Sequence, residues 1–125
     1  AVHSSPLRCT VAGPAQRVQA LVEELVAQGV FARLLEVAGA GHSPAVDPVL
    51  PRVHHALATL RPRRADLPWY TTVHEDPRAD VHADADYWCA NLRRPVRLYQ
   101  AVEAAAADGH DLFLEISPTP SHSFR

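Results

Sequence analysis

An α/β fold is expected for this 125-residue chain on three observations. Apolar residues recur at helical spacing in separate blocks. Short β-rich runs alternate with those blocks. Glycine and proline fall at the joins. Taken in order, "RCTVAGP" from Arg8 reads as a short strand that closes in a Gly-Pro turn. Pro14 suits the first turn of a helix, along which Val18, Leu21, Val22, Leu25 and Val26 form one apolar stripe, and Gly29 ends it. "FARLLEV", Phe31–Val37, follows as a second strand, which completes a β-α-β unit.

After a turn over Gly39–Pro44, Asp47 is a plausible N-cap with Pro48 at the first helical position. Val49, Leu50, Val53, Leu57 and Leu60 make the expected buried face, and Pro62 stops the helix. "PWYTTV", Pro68–Val73, reads as a strand, "HEDPRADVHADAD" as a polar loop, and "ADADYWCANL" as a short helix. From Pro95 a longer helix presents Val96, Tyr99, Val102 and Ala106, and Gly109 ends it. "DLFLEIS", Asp111–Ser117, is nearly continuous in apolar residues, as in a buried parallel sheet. The texture changes near Gly39–Pro44, so the two halves need not share one sheet.

Composition narrows the functional classes. Apolar residues make up 47% and charged residues 21%, values of a globular chain. A net charge of −2 argues against nucleic acid or anionic lipid as partner. No apolar run approaches a membrane span, and no cationic-plus-apolar leader opens the chain. The two cysteines, Cys9 and Cys89, form no CxxC pair, so a reduced, cytoplasmic setting is expected. Methionine is absent and all twelve basic residues are arginine. Together these suggest a piece of a longer chain.

The candidate sites are few. His54 and His55 are adjacent on a helix and read as a surface pair. His74, Asp76, His82, Asp84 and Asp86 match neither zinc nor calcium-loop spacing, so no metal is expected there. Arg93, Arg94 and Arg97 could hold a carboxylate or phosphate but usually face water in such a place. No nucleophile elbow, P-loop or dinucleotide fingerprint is present. His42 is the remaining candidate: it lies in a turn of small residues, where Gly39 and Gly41 let the backbone bend and leave room around the ring. Core filler, metal ligand and catalytic base are all open for it at this point.

Four stretches carry a family resemblance. "GAGHSPAVDP" (Gly39–Pro48), "DADYWCANLRRPV" (Asp84–Val96), "FLEISPTP" (Phe113–Pro120) and the opening "SSPLRCTVAGP" occur in order across nearly the whole chain. They resemble the acyltransferase domains of modular (type I) polyketide synthases, of the malonyl-CoA:acyl carrier protein transacylase kind, in their C-terminal part. The resemblance implies a ferredoxin-like small subdomain, of which residues 4–38 would be the βαβ part. Residues 39–120 would be the C-terminal part of an α/β-hydrolase-like large subdomain, and 121–125 a tail.

It also implies two-step acyl transfer. A serine attacks the thioester of a malonyl-type acyl-CoA, and the phosphopantetheine thiol of an acyl carrier protein then takes the acyl group. His42 matches the family's catalytic histidine. Asn91 matches the position whose backbone carbonyl orients that ring, and Gly39, Ala40 and Gly41 match substrate-pocket positions. Glycine at the first and third of these implies room for a substituted malonyl unit. No cofactor is expected on this segment beyond the acyl-CoA substrate and the carrier's phosphopantetheine. The expected partners are the carrier protein and neighbouring synthase domains.

The family's Gly-His-Ser-x-Gly nucleophile motif, its carboxylate-binding arginine and its glutamine near the oxyanion site are absent from this sequence. The segment should therefore be inactive alone. Thr119 stands where the family commonly has histidine. The competing reading is a stand-alone ferredoxin-like binding or regulatory module in which His42 is structural.

Overall fold

The computed structural model describes residues 2–35, 39 and 41–116. Its order is β1 (Val2–Ser5), β2 (Arg8–Thr10), α1 (Ala15–Ala27), a 3-10 turn (Pro44–Val49), α2 (Leu50–Leu57), α3 (Ala85–Arg93) and α4 (Leu98–Ala107). This is a small α/β arrangement, as expected. β1 and β2 pair antiparallel with Val2 opposite Thr10 and Ser5 opposite Arg8, and an irregularity falls between His3 and Ser5. The hairpin reaches the second half of the chain: Val2 bridges Val96 in parallel, and the His3 N–H donates to the Val96 carbonyl at 2.8 Å.

The helices obey the local rules. Pro14 precedes α1, and Gly29, just beyond its end, takes a φ of 76° that favours glycine. The Asp84 side chain caps α3 by accepting from the Tyr87 N–H at 3.0 Å. The expected single helix after Asp47 is in fact a 3-10 turn followed by α2. Ser43, not Asp47, caps it, accepting from the Ala45 N–H at 3.3 Å. Pro48 and Pro51 explain the tighter turn, since each removes an N–H that an α-helix running on from Pro44 would use, whereas Pro44 sits at the first position, where no partner is lost.

The core lies around Tyr87. Val73, Val81 and Tyr87 are buried together, with Ala83 and Ala90 against them. The Tyr87 hydroxyl lies 3.0 Å from Thr71 Oγ1, which also accepts from the Val73 N–H at 3.1 Å. Polar groups this deep are thus satisfied. α4 buries Ala101, Ala104 and Ala105. Of the expected face, Val96, Tyr99 and Val102 are half-buried and Ala106 is exposed. Arg78 locks this helix to the preceding loop. Its Nε and Nη2 donate to the two Asp108 oxygens at 2.8 and 2.9 Å, and Nη2 also reaches the Ala104 carbonyl at 3.0 Å.

Three expected strands are not formed as such among the described residues. Residues 31–35 of the Phe31–Val37 run lie in no ladder, and 36 and 37 are outside the described residues. Pro68–Val73 and residues 111–116 likewise belong to no strand. A parallel strand requires a ladder with a neighbour, and among the described residues β1 and β2 form the one ladder. Several apolar side chains stand in the open: Leu112 is 87%, Leu114 83% and Ile116 91% exposed. A groove of about 550 Å³ runs between Leu67–Thr72 and α4, lined by Leu67, Trp69, Leu98, Val102 and Phe113. Burying such faces is what further strands and helices of a domain do.

Two outcomes are expected. The 125-residue segment alone should bind the dye ANS and unfold over a broad range; a sharp, dye-free transition of a monomer would contradict the open-face description. The hydrogen bonds from Arg78, then from Tyr70, hold the Asp108 carboxyl below its usual value. A lowered native value means that this contribution is present above the ordinary carboxylate range and is lost as pH falls through the native one. Acid titration of the complete domain should therefore show Asp108→Asn abolishing part of the acid-side loss of stability. An unchanged profile would remove that role.

Candidate active site

His42 is gripped twice by the end of α3. Its backbone N–H donates to the Leu92 carbonyl at 2.8 Å, and its ring Nδ1 lies 2.9 Å from the Arg94 carbonyl. A carbonyl only accepts, so Nδ1 carries the proton, and in the neutral ring the lone pair is on Nε2. The ring is half-buried. His42 also has a φ of 60°, a left-handed conformation that is uncommon for a residue with a Cβ. Such a conformation persists where its surroundings over-determine it.

The two carbonyls are available for a local reason. The last four C=O groups of a helix have no intrahelical partner. Pro95 then disfavours the helical region for the residue before it. Arg94 accordingly has φ −78° and ψ 158°, which turns its carbonyl out of the helix direction. The sequence reading assigned this orienting role to the Asn91 carbonyl. The structure corrects the position: the carbonyl at His42 Nδ1 belongs to Arg94. Asn91 lies inside α3, three residues before the proline-imposed exit that aims the carbonyl. The Arg-Pro pair was the signal that could have found it.

The turn that carries His42 is fixed from the other side. Ser43 is buried and caps the 3-10 turn, in which Val46 is also buried. Arg93, between the two carbonyl-bearing residues, pairs through Nε with Asp47 Oδ1. Gly39 has a φ of 152°, which a side chain would strain. A Cβ built at Gly41 meets no atom within 4 Å. Ala40 lies outside the described residues.

The other candidates are placed elsewhere. His54 Nε2 is 3.1 Å from Asp86 Oδ1, which links α2 to α3 at the surface. His82 and Asp84 are 3.9 Å apart, and among the described residues no group of three His, Cys, Asp or Glu side chains could hold a metal ion. Arg97 reaches the Val73 carbonyl at 3.4 Å and Glu75 at 3.9 Å. Burial pushes the Cys89 thiol up, with Asp86 adding to it, which disfavours the nucleophilic thiolate. The sequence reading missed Ser43 and Asp47–Arg93 as supports for the histidine.

His42 is thus held as one tautomer at a bend of small residues. Residues 1–123 match the acyl transferase domain family, and the chain belongs to it. Polyketide synthases are among its curated relatives. It is 47% identical over 120 residues to a phenolphthiocerol/phthiocerol polyketide synthase of Mycobacterium tuberculosis, spanning 96% of this chain and 6% of that protein. The acyltransferase domain of the polyketide synthase PpsC of M. tuberculosis superposes with a TM-score of 0.77 at 33% identity, covering 87% of this chain and 34% of that one. That of phenolphthiocerol/phthiocerol synthase A from Mycobacterium bovis gives 0.73 at 32%, covering 78% and 38%. The segment thus spans about a third of such a domain. These matches establish the family and the share of the domain that the segment spans.

Ser43→Ala should lower the stability of the complete domain by about 1 kcal/mol, the usual worth of a lost helix cap. Denaturant unfolding measures it. A change within error would mean that the turn does not rely on its cap.

Proposed function

We propose that this segment supplies the general base of a polyketide-synthase acyltransferase domain. The domain transfers a malonyl-type extender unit from CoA to the phosphopantetheine of an acyl carrier protein. The observation that carries the reading is the Nδ1–Arg94 carbonyl bond at 2.9 Å, which leaves the basic lone pair on Nε2. The family match over residues 1–123 supports the chemistry.

In this reading a serine outside the segment gives its proton to His42 Nε2 as its oxygen attacks the acyl-CoA thioester. CoA leaves as the thiol, taking that proton, and an acyl-serine ester remains. In the second half His42 accepts the proton of the phosphopantetheine thiol, whose sulfur attacks the ester. The proton returns to the serine oxygen as it departs. The Arg94 carbonyl stabilises the imidazolium in each half and holds the ring's direction, the part an aspartate plays in hydrolytic triads. A neutral dipole suffices because the task is to fix tautomer and aim.

Gly39 and Gly41 add a specificity. The open space at Gly41 among the described residues supports a pocket that takes a substituted malonyl unit. An α-methyl in an apolar pocket is worth ~1–3 kcal/mol, or about 10- to 200-fold in preference. The division into residues 4–38 and 39–120 belongs to the same proposal, with His42 near the crossing.

The complete domain carrying this segment should load radiolabelled acyl groups from methylmalonyl-CoA in preference to malonyl-CoA. His42→Ala should slow loading by about 10²- to 10⁴-fold, the range of general-base catalysis. Undiminished loading in His42→Ala would remove the base. A malonyl preference would remove only the specificity.

A further inference from the structure

We propose that the Asp47–Arg93 ion pair is a positioning device for the His42 imidazole; its bearing on acyl transfer rests on the reading of His42 as the base. The argument starts from the backbone. His42 sits at φ 60°, and the two groups that hold it, the Leu92 and Arg94 carbonyls, are both at the end of α3. Helix ends fray, and Pro95 prevents α3 from continuing to steady them. A carbonyl that wanders by about half an ångström or more weakens its hold on the ring.

Arg93 is the residue between those two. Its guanidinium Nε pairs with Asp47 Oδ1, on the turn whose cap, Ser43, directly follows His42. The pair therefore ties the segment that carries the imidazole to the segment that carries its two acceptors. The loop is short on both sides: one residue from Arg93 to either carbonyl, and five from Asp47 to His42. The Arg93 side chain is 35% exposed and that of Asp47 53%. At that exposure an ion pair adds little to global stability. Its consequence is local: it fixes the distance between the two grips. The Arg64–Asp80 pair, 82% and 74% exposed at 3.4 Å, offers a control ion pair of the same chemistry away from the site.

The test uses the complete acyltransferase domain with ¹⁵N-labelled histidine. Long-range ¹H–¹⁵N spectra read the ring tautomer of His42. The wild-type domain is expected to give the Nδ1–H form. Arg93→Gln and Asp47→Asn are each expected to give a mixture of both tautomers and to lower kcat about 10- to 100-fold, with KM within twofold. The double variant should be no worse than either single one, because each already removes the pair. Arg93→Lys should keep most of the signal, and Arg64→Gln should change nothing. Asp47→Asn is nearly isosteric, so a folding failure of Arg93→Gln leaves the test intact. A wild-type Nδ1–H signal retained in both single variants overturns the proposal, whatever the rates. A shifted tautomer with full kcat upholds the positioning and instead removes His42 from the chemistry.

Discussion

The structure around the site depends on one constraint: a helix that must stop. Pro95 forbids α3 from running on, and Arg94 takes the extended conformation that a residue before proline prefers. That single exit turns a carbonyl toward the His42 ring, 52 residues earlier in the chain. The carbonyl decides which ring nitrogen holds the proton. Everything proposed about proton transfer follows from that tautomer.

The surrounding elements serve the same geometry. The Asp84 cap starts α3, and the buried Tyr87, with its hydroxyl bonded to Thr71, seats the helix on the loop beneath it. On the histidine side, the prolines force a tight turn and Ser43 caps it. These contacts are modest in energy one by one. Their effect is to leave the helix end and the turn few relative positions, which is how a strained residue such as His42 is kept in place.

The sequence made some of this legible. The glycines beside His42, the apolar stripe of α1 and the short helix in "ADADYWCANL" follow local rules, and local rules can be read from one chain. Pro68–Val73 and Asp111–Ser117 have the residues of strands, yet among the described residues neither joins a ladder. A strand is made by its neighbour as much as by its own residues. β1 escaped notice because "VHSS" has little alternation, and its pairing depends on the turn that follows it. The orienting carbonyl was placed at Asn91 by motif, three residues from where backbone geometry puts it. Backbone acceptors leave no mark in side-chain identity, except here, where the following proline does.

The most direct measurement is a high-resolution crystal structure of the complete acyltransferase domain that carries this segment, solved with its nucleophile present. The account requires His42 Nδ1 within hydrogen-bond distance of the Arg94 carbonyl and Nε2 about 2.6–3.2 Å from a serine hydroxyl across an open cleft. A ring turned so that Nδ1 has left that carbonyl, or an Nε2 enclosed by packed hydrocarbon, would contradict it.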